Sequence, residues 1–79
     1  MKDGIMLYKD YGKINICLKE LLDAKGITRN KLASMVNTRF EVIDKWYKNN
    51  VEKIDADILA RLCFVLDCKV EDIIKYQSE

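Results

Sequence analysis

Residues 28–48, TRNKLASMVNTRFEVIDKWYK, constrain the fold more than any other part of this chain. Thr28 is placed to cap a helix, because its hydroxyl can take a backbone N–H left free at a helix start. Leu32, Ala33 and Val36 then recur at helical spacing, so one face of residues 29–36 can be buried. Asn37 follows where the helix must end, and asparagine tolerates the left-handed backbone needed there. Thr38 can restart the chain, and Ile43, Trp46 and Tyr47 give the next helix its apolar stripe. Two helices joined by so short a link must cross steeply, which is the helix-turn-helix arrangement.

The remainder of the chain has to supply the core on which that corner rests. Seventy-nine residues make one small domain. Folding at this size buries only roughly 60% of the unfolded surface, and stability should be about 4–12 kcal/mol. There is no proline, there are three glycines, and 49% of residues are apolar. That composition favours helices over a disordered or fibrous chain. The formal net charge is only +1, but it is unevenly spread. Residues 28–54 carry six Lys/Arg against three Asp/Glu, and residues 55–79 carry three against six. The positive third coincides with the helix-turn-helix candidate, as expected of a surface that meets a polyanion.

Cys17, Cys63 and Cys68 are odd in number, and the chain has no histidine. A structural zinc needs four Cys/His ligands, so no metal and no cofactor are expected. Cys63 and Cys68 lie five residues apart, which on one helix places them on different faces. They read as reduced, small apolar residues of a cytoplasmic protein. No stretch is long enough to span a membrane, and residues 5–7 are too short for a signal-peptide core.

Residues 1–12 lack a sustained period and contain the turn signal Asp3-Gly4, so they read as a loosely ordered arm before a domain of residues 13–79. Residues 14–16 alternate like a short strand but could equally be a first helical turn. A first helix runs from about Cys17 to Lys25 and closes at Gly26. After the helix-turn-helix, residues 49–54 form a polar loop with one or two apolar anchors. Asp55 caps a fourth helix, with Asp57 at its positive end. Ile58, Leu59, Leu62, Cys63, Val65 and Leu66 should make that helix the most buried element. A corner at residues 67–69 leads to a short final helix marked by Val70, Ile73 and Ile74. Residues 75–77 then run extended and can pair with residues 14–16. The expected fold is all-α, a compact five-helix orthogonal bundle, with that two-stranded pairing as an optional addition.

Ile27-Thr28-x-x-x-Leu32-Ala33, the corner at Asn37, and Ile43-x-x-Trp46 resemble the Cro/lambda-repressor-like (Xre-type) helix-turn-helix domains. The later run from Ile54 and Asp55 through Leu59, Leu62, Cys63, Leu66, Asp72, Ile73 and Tyr76 is similar to a subgroup of small stand-alone transcriptional regulators in that family. The resemblance covers roughly residues 14–77. Three positions depart from the pattern. Arg29 stands where Gln is usual, Asn37 where Gly is usual, and Arg39 where Ser or Thr caps the third helix, which leaves Thr38 to take the capping role.

The resemblance implies a sequence-specific regulator of double-stranded DNA, with the third helix (about residues 39–48) in the major groove. With Ile43 and Trp46 turned inward, the opposite side of that helix shows Phe40, Glu41, Asp44, Lys45 and Lys48. By the family's motif, Phe40, Glu41 and Lys45 fall where base edges are read. Glu41 can accept from cytosine N4, Lys45 can donate to guanine O6 or N7, and Phe40 can touch a thymine methyl. Arg29 is placed for a phosphate, and Asn30, Arg39, Lys48 and Lys53 are further backbone contacts. Alternatives stand beside these roles. Phe40 can fold back into the core, and Glu41 and Lys45 can form an ordinary surface pair worth about 0.2–0.5 kcal/mol. Glu41 and Asp44 both repel phosphate.

A homodimer on a two-fold operator is expected, because one module of this size contacts few phosphates. The competing function is a protein-interaction module that keeps the fold without binding DNA, and the two acids on the reading face favour it. An enzyme is not expected. There is no histidine, no phosphate-binding glycine loop and no nucleophile beside a base. No small-molecule ligand is evident.

Overall fold

In the computed structural model, which describes residues 11–78, the two ends of the domain meet as an antiparallel sheet. Strand β1 (Lys13–Ile16) pairs with β2 (Ile74–Gln77) in the register Lys13↔Gln77 to Ile16↔Ile74. The alternation at residues 14–16 is therefore that of a strand. Ile16 turns into the core while Ile14 and Tyr76, paired opposite each other, face solvent. Gly12 enters β1 at φ 83°, and a Cβ there would strike the Gln77 carbonyl oxygen. Beside it the Tyr76 hydroxyl donates to the Tyr11 carbonyl oxygen at 2.7 Å. Residues 1–10 of the expected arm lie outside the described residues.

Between the strands come five helices: α1 (Leu18–Lys25), α2 (Arg29–Met35), α3 (Phe40–Tyr47), α4 (Ala56–Leu66) and α5 (Val70–Ile73). The domain is mostly helical, as expected, but the sheet is an integral part of it, so "all-α" understates the fold. Two expected caps are formed. Thr28 Oγ1 accepts from the Lys31 N–H at 3.1 Å, and Asp55 Oδ1 accepts from the N–H groups of Asp57 and Ile58 at 2.9 and 3.2 Å.

The first four helices all end in the same way. The residue beyond the last turn adopts a left-handed backbone, and the next N–H reaches back to a carbonyl five residues earlier, the Schellman arrangement. Gly26 (φ 67°) does this for α1, Asn37 (φ 55°) for α2, Asn49 (φ 57°) for α3 and Asp67 (φ 50°) for α4. The returning bonds are Ile27 to Leu22, Thr38 to Ala33, Asn50 to Lys45 and Cys68 to Cys63, at 3.0, 2.9, 2.9 and 3.1 Å. Asparagine and aspartate thus serve at three corners where glycine would be the least strained choice.

Two expectations are corrected by this geometry. Thr38 does not cap α3, because its backbone is committed to ending α2. The N-cap is Arg39, which makes no side-chain cap. Cys63 and Cys68 do not diverge onto separate helix faces either. The left-handed turn at Asp67 folds Cys68 back over Cys63, and burial together with the neighbouring Cys63 thiol pushes the Cys68 thiol above its ordinary value.

The core joins all five helices and β1. Leu18 and Leu22 come from α1, Leu32 and Ala33 from α2, Ile43 and Trp46 from α3, and Ile58, Leu62 and Leu66 from α4. Ile16, Val36 and Ile73 complete it. Helix α4 contributes three buried residues, the largest number from one helix, while Leu59, Cys63 and Val65 of its expected stripe are only partly buried. Its far side nevertheless presents Phe64, 88% exposed.

Candidate nucleic-acid interface

The rotation of α3 about its axis follows from Ile43 and Trp46, which are 0% and 3% exposed. With those two inward, Glu41 and Lys45 stand on the solvent side. They form no ion pair with each other or with any described residue. Phe40, at the first position of the helix, is 36% exposed and has not folded into the core.

One flank of α3 faces the start of α2. Phe40, Asp44 and Tyr47 fall on that flank at spacings of four and three, and Arg29 lies against all three. Its Nη1 meets Asp44 Oδ1 at 2.6 Å, and its guanidinium carbon is 4.6 Å from the centre of the Tyr47 ring and 5.7 Å from that of Phe40. These are cation–π distances. Lys48 Nζ reaches the other oxygen of Asp44 at 3.1 Å. The Lys48 ammonium first, and the Arg29 guanidinium with it, hold the Asp44 carboxyl below the usual carboxylate range, against the opposing effect of burial. Tyr47 extends this network to α1, its hydroxyl donating to Asp23 Oδ1 at 3.2 Å, while Lys19 pairs with Asp23 at 2.9 Å.

The two ends of α3 are tied down separately. At its start, Arg61 on α4 donates through Nη1 to the carbonyl oxygens of Val36 and Asn37 at 3.0 and 3.2 Å, and its Nη2 meets Asp57 at 2.7 Å. These are carbonyls that the end of α2 leaves without helical partners. At the other end, Asn49 Oδ1 accepts from the Ile16 N–H at 2.7 Å, and its Nδ2 donates to Asn15 Oδ1 at 3.2 Å. Helix α3 is thereby tied to α4 through the corner before it and to the sheet through Asn49.

The other flank of α3 forms a groove with the loop leading to α4. Val42, Lys45, Trp46, Val51 and Lys53 are among its lining residues, and it continues past Thr38 to Arg39. Arg39, Lys45 and Lys53 make no ion pair with any described residue. The expected site residues therefore separate into two groups. Arg39, Lys45 and Lys53 gather along the groove with uncommitted charge. Arg29 and Lys48 sit on the opposite flank, both engaged by Asp44. Asn30 is exposed on α2, near Arg29 in sequence. Among the described residues no cluster of side chains able to hold a metal ion is formed, and no helix is long and apolar enough to cross a membrane.

The model of the Cro/C1-type helix-turn-helix DNA-binding domain matches residues 17–79. The chain belongs to this family. The match begins at the residue before α1 and takes in every helix and β2. Two solved structures share the fold of this Cro/C1-type domain. Transcriptional regulator VanUg superposes with a TM-score of 0.71 at 25% identity, over 91% of this chain and 95% of its own. A candidate DNA-binding protein from Bacteroides fragilis superposes with a TM-score of 0.70 at 21% identity, over 80% of this chain and all of its own. No curated protein matches the chain.

Three contributors to this surface are not apparent in the sequence: Arg61, Asn49 and the pairing of Asp44 with Arg29. Asn49-Asn50 does carry a signal, since it repeats the use of asparagine seen at Asn37. Arg61 reads only as the partner of Asp57 four residues before it.

Proposed function

We propose that this Cro/C1-type domain is a sequence-specific transcriptional regulator that binds double-stranded DNA with α3 in the major groove, residues 13–79 forming the binding unit. One observation carries the reading. On a helix whose rotation is fixed by two buried side chains, Glu41 and Lys45 project into solvent without ion-pair partners among the described residues. Each is free to pair with a base edge, Glu41 with cytosine N4 and Lys45 with guanine O6 or N7. Phe40, exposed at the start of the helix, is the third base-reading residue and meets a thymine methyl.

Arg39 and Lys53, at either end of the groove, hold phosphates on one side of α3, and Asn30 faces the backbone on the other, beside Arg29 and Lys48, the further phosphate-binding candidates that Asp44 engages. These contacts position the protein and set its salt dependence, while the base contacts choose the sequence. So few phosphate contacts support a homodimer on a two-fold operator. Selection of bound sequences from a random duplex pool tests the reading. The unaltered protein should enrich one motif, and Glu41→Ala should enrich a different one, relaxed at the position Glu41 reads. An unchanged motif would remove Glu41 from the reading set.

A protein-interaction module on the same fold is the competing function, favoured by Phe64, 88% exposed on α4. Capture with duplex DNA, compared with capture with cell protein, separates the two.

A further inference from the structure

Two of the cations nearest the reading helix are already bound to an anion, and that anion is part of the protein. Asp44 holds Arg29 through one carboxylate oxygen at 2.6 Å and Lys48 through the other at 3.1 Å. It sits on the flank of α3, one turn from Phe40 and one turn from Lys48, where a DNA phosphate beside the helix would compete for the same two groups. We infer that Asp44 is a specificity-determining residue that acts as an internal stand-in for phosphate: it withholds Arg29 and Lys48 from the DNA backbone and so keeps sequence-independent binding weak. The inference rests on the DNA-binding reading of α3.

Backbone contacts strengthen binding to every sequence alike, whereas base contacts strengthen it for the correct sequence only. A carboxylate that occupies two cations lowers the first contribution and leaves Glu41 and Lys45 free to make the second. The surrounding groups favour this arrangement. Arg29 is also stacked against Tyr47 and Phe40, so it stays beside α3 whether or not Asp44 is charged. Lys48 is exposed and has no other ion-pair partner among the described residues. If the carboxylate is removed, both cations remain in place with their charge uncommitted.

The test is the salt dependence of binding to a fluorescent duplex of mixed sequence, followed by anisotropy. The log of the affinity falls with log salt by about 0.9 for each phosphate neutralised. Asp44→Asn should therefore steepen that slope by about 1.8 as both cations engage the backbone. It should also tighten binding to mixed-sequence duplex more than to a selected site, which lowers the ratio between them. Glu71→Gln on α5 makes the same change in net charge and should leave the slope within the error of the unaltered protein. Lys48→Gln should leave the slope unchanged while Asp44 is present, and should lower it by about 0.9 in the Asp44→Asn background. An unchanged slope in Asp44→Asn overturns the inference, as does an equal effect of Lys48→Gln in both backgrounds. The Lys48→Gln measurement on the protein with Asp44 intact does not depend on how well Asp44→Asn folds, and a loss of about 0.9 there overturns the inference by itself. Failure of the unaltered protein and of every variant to bind any duplex at low salt overturns the DNA-binding reading itself, a different result from binding with an unchanged slope.

Discussion

Trp46→Ala is expected to lower the thermal transition of the domain by about ten degrees or more, up to its complete loss. Trp46 is 3% exposed and belongs to the same buried cluster as Ile43, Leu32 and Leu62. Removing a buried tryptophan side chain costs about 3–5 kcal/mol, through lost transfer energy and the cavity left behind. A chain of this length has about 4–12 kcal/mol in total, so the loss takes about a quarter of the stability at best and all of it at worst. The effect also falls on the element that carries the site, because Trp46 and Ile43 together fix which side of α3 is outward. Circular dichroism on heating is the check. A sharp transition within a few degrees of the unaltered protein would mean that Trp46 does not anchor the core.

The double replacement Arg39→Gln with Lys53→Gln should leave the fold intact and reduce binding to all duplex sequences alike. Both side chains are exposed, and neither takes part in an ion pair with a described residue. Surface substitutions of this kind usually change stability by no more than about 0.5 kcal/mol. As backbone contacts, the two should make the salt dependence shallower by about 1.8, or about 0.9 each. The motif recovered from a random pool should not change, since phosphate contacts carry no sequence information. A changed motif with an unaltered slope would show that one of them reads bases. This expectation is the mirror image of that for Asp44→Asn, which adds two backbone contacts where the double replacement removes two.

The parts of this molecule that could be read from its sequence are those set by residues close together in the chain. Thr28 and Asp55 cap their helices because the N–H groups they satisfy lie two or three residues further on. Asn37 marks the corner because its own backbone conformation ends the helix. Ile43 and Trp46, three apart, define the inward side of α3 and leave Glu41 and Lys45 outside. The pairing of the terminal strands was legible as an option from alternation alone, and the register Ile16↔Ile74 makes it definite.

What escaped the sequence depends on residues that meet only after the helices pack. Arg61 reaches back to Val36 and Asn37, Asn49 reaches back to Asn15 and Ile16, and Tyr47 reaches Asp23 on α1. No local spacing announces any of these. Asp44 shows the functional consequence. In sequence it counts as a second acid on a DNA-reading helix, and so as an argument against binding. In the fold it is half-buried between two cations, and the acid of α3 left facing outward without an ion pair among the described residues is Glu41. The corner at residue 67 teaches the same lesson on a smaller scale. Helical spacing separates Cys63 from Cys68, and one left-handed residue between them brings the two back together.

The central claim is that the outward side of α3, with the groove beside it, is where the domain meets DNA. Backbone amide NMR shifts recorded while a duplex is added at low salt test it most directly. The largest changes should fall on residues 38–48 and on Val51 and Lys53, while β1, β2, α5 and the Phe64 side of α4 remain close to their starting positions. Changes centred on β2 or around Phe64, with residues 38–48 undisturbed, would contradict the claim.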